Sequence, residues 1–178
     1  MHGIIFAELK NFIDQKWDKG LWQQVLNDAG LGARLYLAIA DYPDEEIYAI
    51  VNAGCRRTGM EPTAFLEAFG ENIVPPLLRT YAGLIKPEWK TLDFLEYTEN
   101  NFHRFVTKKH GAHPPKLVAT RPGKDEVVIN YSSHRRMCAF ASGIAKAVAR
   151  HYQETVTVSH LSCMHRGDAV CLISVKLV

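Results

Sequence analysis

No run of about 18 or more apolar residues occurs in this 178-residue chain, so no helix of it is expected to span a bilayer. Met1 to Asp14 is too short in its apolar part, and too acidic, for a secretory leader. An excess of one charge sign is missing too. The 21 Lys and Arg stand against 19 Asp and Glu, and no dense basic stripe argues for nucleic acid as a partner. Lys108-Lys109-His110 and His134-Arg135-Arg136 read as solvated helix ends. There is no internal repeat, no low-complexity segment, no glycine-rich phosphate loop and no H-x-E…P-C-x-x-C deaminase signature. Cysteine is scarce, at four residues. With no leader to export them, these cysteines are expected in a reducing cytoplasm, where metal ligation or redox chemistry ranks ahead of structural disulfides.

What is present is an ordinary globular composition, 47% hydrophobic and 22% charged, expected to form one domain. A chain of this length buries roughly 70% of its unfolded surface, enough for a core and a ligand cavity. The first half reads helical. Phe6, Leu9, Phe12, Ile13 and Trp17 recur at helical spacing, as do Leu21, Val25 and Leu26 before a stop at Gly30. Pro43 and three acids open a third helix, and Pro62 a fourth, which Val74-Pro75-Pro76 is expected to kink or restart. A further helix runs from Thr91 to His110. After Gly111-Ala112-His113-Pro114-Pro115 the character changes. Residues 115–121 and 125–133 read as a hairpin around Pro122-Gly123, 137–152 as an apolar helix, and 155–163 with 169–178 as two more strands. The fold class is α+β: a helical N-terminal lobe packed on a C-terminal antiparallel sheet with one long helix.

In the stretch INYSSHRRMC, Tyr131, Ser133 and Arg135 recur two apart. On an extended backbone all three leave one face. Two hydroxyls and a guanidinium grip anionic oxygens. Val127, Val128, Ile129 and Phe140 nearby are apolar, which suits two carboxylates on a large apolar ligand better than a small phosphate. Haem, a flat macrocycle with two propionates, is such a ligand. A half-exposed strand with a polar outer face is the plain alternative.

Here the sequence resembles the haem nitric-oxide/oxygen-binding (H-NOX) family, whose Tyr-x-Ser-x-Arg motif holds the haem propionates. Tyr131, Ser133 and Arg135 match it position for position. Tyr97-Thr-Glu-Asn-Asn-Phe-His103-Arg resembles the family helix that carries the axial histidine. Gly111 to Pro115 resembles its link into the sheet, and Met-x-Gly-x-Ile its start. The resemblance covers essentially the whole chain. It implies haem b buried between the lobes, His103 as iron ligand, and Ile5 and Pro115 against the porphyrin. No C-x-x-C-H occurs, so the haem is expected to be non-covalent. The resemblance also implies a single domain, with a distal helical subdomain over 1–60 and a proximal one over 61–178. Oxygen-holding members place a tyrosine where this chain has Phe140. Leu9 and Ile144 are expected to complete an apolar pocket. Bound oxygen needs a hydrogen-bond donor and nitric oxide does not, so nitric oxide is the expected ligand, carbon monoxide a weaker one, and oxygen is excluded. A non-enzymatic, stand-alone bacterial sensor is expected, signalling to a histidine kinase or a cyclic-di-GMP enzyme.

A second constellation lies near the C-terminus. Cys163 and Cys171 flank Arg166-Gly167-Asp168 and would oppose each other across a hairpin. His160 precedes Cys163 by three, and Cys138 opens the helix that would pack over this sheet. Three cysteines and a histidine suit a closed structural Zn2+ site, with His165 able to replace His160. Buried cysteines as small hydrophobes are the plain alternative, and Cys55 stands outside the set. The competing function is a thiol redox sensor built on this cluster with haem secondary. A Cys163/His165 hydrolase lacks a third orienting residue.

Overall fold

The computed structural model describes residues 1–111 and 113–178; Ala112, in the link before the sheet, lies outside the described residues, as do the side chains of Lys109 and His110. Seven α-helices and four strands follow in chain order among the described residues: α1 (Gly3–Lys16), α2 (Leu21–Asp28), α3 (Asp44–Thr58), α4 (Pro62–Thr80), α5 (Thr91–Thr98), α6 (Arg104–His110), β1 (Lys116–Thr120), β2 (Glu126–Ser132), α7 (Cys138–His151), β3 (Val156–Ser162) and β4 (Cys171–Leu177). The architecture is the expected α+β.

The helix ends follow local chemistry. Asp44, Glu45 and Glu46 stand in the first turn of α3, Arg56 and Arg57 in its last, and Gly59 at φ 69° closes it, all in keeping with the helix dipole and a left-handed C-cap. Phe6, Leu9, Phe12 and Ile13 of α1 pack with Val25, Ile47, Ile50, Phe65 and Phe69 into a first core. None of the helices among the described residues is long and apolar enough to cross a membrane.

The four strands form one antiparallel sheet in the order β1-β2-β4-β3. Val127, Ile129 and Tyr131 alternate onto its inner face. There α5 packs over β1 and β2, and α7 over β3 and β4, around a second core that includes Val74, Leu92, Leu95 and Ile173. α7 crosses α4 closely because glycine occupies both sides of the contact. A Cβ on Gly70 would stand 2.1 Å from Phe140 O, and one on Gly143 2.0 Å from Glu67 O. Ion pairs Lys146–Glu67 at 2.5 Å and Arg150–Glu71 at 2.8 Å edge the crossing.

Three elements differ from expectation. α4 continues through Pro75 and Pro76 rather than restarting; burial of Phe69, Ile73 and Val74 holds it together. The helix from Thr91 to His110 contains a π-helical turn at Glu99–His103, which its apolar spacing does not reveal. The strand carrying Tyr131 ends at Ser132, so Ser133 and Arg135 are not extended residues on one face. A turn closed by Arg136 N–H to Ser133 O at 3.1 Å, with Arg136 at φ 50°, folds Arg135 back.

Candidate functional site

A largely apolar cavity lies between the two cores, walled by the start of α1, the second half of α4, α5, the π turn, β1, β2 and α7. His103, the last residue of the π turn, lines it. His103 Nδ1 is 2.9 Å from Glu99 Oε2, and Nε2 has no protein partner among the described residues. An imidazole so held presents one nitrogen as an available metal ligand.

At another wall the structure gathers Tyr131, Ser133 and Arg135. Burial pushes the Tyr131 phenol up to about 12, so it stays neutral and keeps its O–H as a donor. Met137 N–H donates to Tyr131 Oη at 3.1 Å, anchoring the ring to the approach of α7. Ser133 Oγ accepts from Arg135 N–H at 3.2 Å. The Arg135 guanidinium is 7% exposed and donates through Nη1 to His113 O at 2.7 Å. Three anion-gripping groups therefore converge despite the turn.

Sequence reasoning missed Asp44. Its carboxylate, at the first residue of α3, lies 2.9 Å from Arg135 Nε, 2.9 Å from the Met1 amino group and 2.6 Å from His134 Nε2. The Arg135 Nε contact is an ion pair without hydrogen-bond alignment. Burial alone would raise the Asp44 carboxyl, but contacts from Arg135, the amino terminus and His134 override it and hold the group well below the usual carboxylate range. The only hint in the sequence was an acid at a helix start, which the dipole already explained.

Ile5, Pro115, Phe140 and Ile144 all line the cavity. The Phe140 ring is held against Phe69 of α4 at 4.8 Å between centroids. Leu9 is not among the lining residues; it is fully buried in the helical core.

The thiols of Cys138, Cys163 and Cys171 also come together, all within 4.8 Å of one another. Cys138 Sγ and Cys171 Sγ each lie 3.8 Å from Cys163 Sγ. Burial raises the Cys138 and Cys171 thiols. Cys163 is also buried, but hydrogen bonds from the backbone at His165 and from the neighbouring thiols take it the other way. The two histidines point elsewhere. His160 Nε2 is 2.8 Å from Ser142 Oγ, and His165 Nε2 is 2.7 Å from Arg136 O. Cys55 lies in the first core.

The His103 imidazole with an available nitrogen, a three-residue anion clamp and a largely apolar cavity fit haem: the residues present would supply an iron ligand and two-propionate recognition, while His2 and His113 also line the cavity. This fold and site define a haem-binding sensory domain. The sequence matches the profile of the Haem-NO-binding family over residues 2–160. The chain belongs to that family, the H-NOX domains, which are haem-based gas sensors rather than enzymes. No curated protein sequence matches it at a significant level. Among solved structures it is similar to an H-NOX protein from S. oneidensis in the Fe(II)NO state, with TM-score 0.93 and 24% identity over 100% of this chain and 99% of that one. It is similar also to the unliganded Fe(II) H-NOX protein from K. algicida (TM-score 0.88, 18% identity, 100% of this chain and 97% of that one). A variant H-NOX from T. tengcongensis gives TM-score 0.85 at 18% identity over 99% and 97% of the two chains.

Proposed function

We propose that this chain senses nitric oxide through ferrous haem b held non-covalently, and relays the event to a separate signalling protein. The observation that carries this reading is the convergence of His103, Tyr131, Ser133 and Arg135 on one apolar cavity. Haem, when bound, would supply an iron that takes a diatomic gas. His103 would donate Nε2 to that iron, and Tyr131, Ser133 and Arg135 would hold the propionates. On the α7 wall Phe140 and Ile144 offer no hydrogen-bond donor. Oxygen, which needs one when bound, is therefore disfavoured; nitric oxide is not, and carbon monoxide binds more weakly than nitric oxide. When His103 is released, the π turn and α6 are freed. Residues 1–60 then shift against 61–178 across the contacts of Ile5 and Pro115, a change between two discrete packings. A histidine kinase or a cyclic-di-GMP enzyme reads the shift.

The test is an absorption spectrum of the haem-loaded ferrous protein in air and after nitric oxide. A five-coordinate histidyl band, unchanged in air and converted by nitric oxide to a histidine-free form, is expected. A stable oxygen form would sink the selectivity, and failure to retain haem would sink the whole reading.

The thiol trio supports a second, structural reading. Cys138, Cys163 and Cys171 would ligate one Zn2+, with His160 completing the set by leaving Ser142. Metal analysis of wild type and Cys163→Ser decides it: about one zinc per chain in the first and none in the second is expected, and a zinc-free wild type ends the idea.

A further inference from the structure

We infer that Glu99 is a positioning residue for His103, fixing the ring's tautomer, strengthening its bond to iron and tying it to the head of the sheet. The inference rests on His103 being the haem ligand. Glu99 and His103 are the first and last residues of the π turn. Side chains four apart are neighbours on one face of such a turn, as they are in an α-helix. Glu99 Oε2 accordingly sits 2.9 Å from His103 Nδ1. The same oxygen accepts the Leu117 N–H at 3.1 Å, near the start of β1 and two residues beyond Pro115. Although its side chain is 34% exposed, the carboxylate is thus held from two sides.

The chemistry follows from what a carboxylate can do. Ionised, it only accepts, so the proton between the two groups belongs to Nδ1 and the lone pair to Nε2, the arrangement an iron ligand requires. A carboxylate drawing on Nδ1–H also makes the ring a more basic donor, as buried partners of metal-bound histidines generally do. Glu99 therefore opposes the release of His103 and sets how readily gas binding breaks the bond. Because its oxygen also holds Leu117, any swing of the ring changes the load on the first residues of the edge strand β1. Pro115 lies just before that strand, so ligand release and displacement of the porphyrin contact are coupled through one carboxylate.

The experiment reads the iron–histidine stretch by resonance Raman in haem-loaded ferrous wild type, Glu99→Gln, Glu99→Ala and His103→Gly. The stretch should fall from wild type to Glu99→Gln, which keeps an acceptor but no charge, and fall further in Glu99→Ala. Haem affinity of Glu99→Ala should drop on the order of tenfold, and nitric oxide should leave a smaller six-coordinate fraction than in wild type. In the haem-free protein, nitrogen-15 NMR should find His103 protonated at Nδ1, a preference lost in Glu99→Ala. A stretch equal in wild type and Glu99→Ala, with the band gone in His103→Gly, overturns the role of Glu99 and leaves the ligand standing. A band surviving in His103→Gly overturns the ligand and this inference together.

Discussion

Phe140 faces the cavity with its ring braced on Phe69, so a hydroxyl added there enters the ligand space at little cost in packing. Phe140→Tyr is expected to convert the ferrous protein to one that forms an oxygen complex in air, read as a shifted Soret band. Arg135→Ala is expected to weaken haem retention by about tenfold to a hundredfold, the effect of losing one charge-assisted contact worth roughly 1.5–3 kcal/mol; transfer of haem to an excess of acceptor protein measures it. At this scale much of the site was legible. Tyr131, Ser133 and Arg135 have types and spacing that suit an anion, the resemblance to the family singles out His103, and all four reach the cavity. Asp44 was not legible, because its partner Arg135 lies 91 positions away and only the folded chain brings them to 2.9 Å. The pocket position that the resemblance implies for Leu9 is not met, because the side chain turns into the helical core instead of the cavity.

Elements explain the other departures. The apolar stripe of Leu92, Leu95, Phe102 and Val106 is compatible with an uninterrupted α-helix, so the π turn from Glu99 to His103 leaves no mark in the pattern. The thiols were legible from hairpin symmetry, since Cys163 and Cys171 flank one turn. His160 was not, because β3 slips register between His160 and Ser162. His160 pairs with Ile173, deeper along the sheet, where it meets Ser142 one helical turn on from Cys138. The α4–α7 crossing is sensitive to a single methyl. In Gly70→Ala the new Cβ would meet backbone at 2.1 Å, which cannot rotate away. A loss of roughly 1–3 kcal/mol, a fall in Tm of several degrees, is expected. Gly83→Ala, whose Cβ meets nothing within 4 Å, should leave Tm nearly unchanged.

Across the whole molecule, Asp44 joins the helical lobe to the anion clamp, and the sign of its pH dependence follows from its depressed pKa. A carboxyl depressed in the folded state stabilises fully above its unfolded value of about 3.9, and that contribution is lost as pH falls towards the folded value. Between about pH 5 and pH 2 the urea midpoint of wild type should therefore drop more steeply than that of Asp44→Asn. The variant should be the less stable at neutral pH, with the two curves converging in acid; parallel curves would deny Asp44 this role. The bipartite core also gives α4 a mechanical character. Its Phe65, Phe69 and Ile73 belong to one core and Val74 to the other, so the helix is a beam shared by both bodies. Pro75 and Pro76 stand where it passes between them and have no N–H to offer the carbonyls of Glu71 and Asn72 four residues back. The beam is thus least stiff in its C-terminal third, and bending between the bodies concentrates there, beside the cavity.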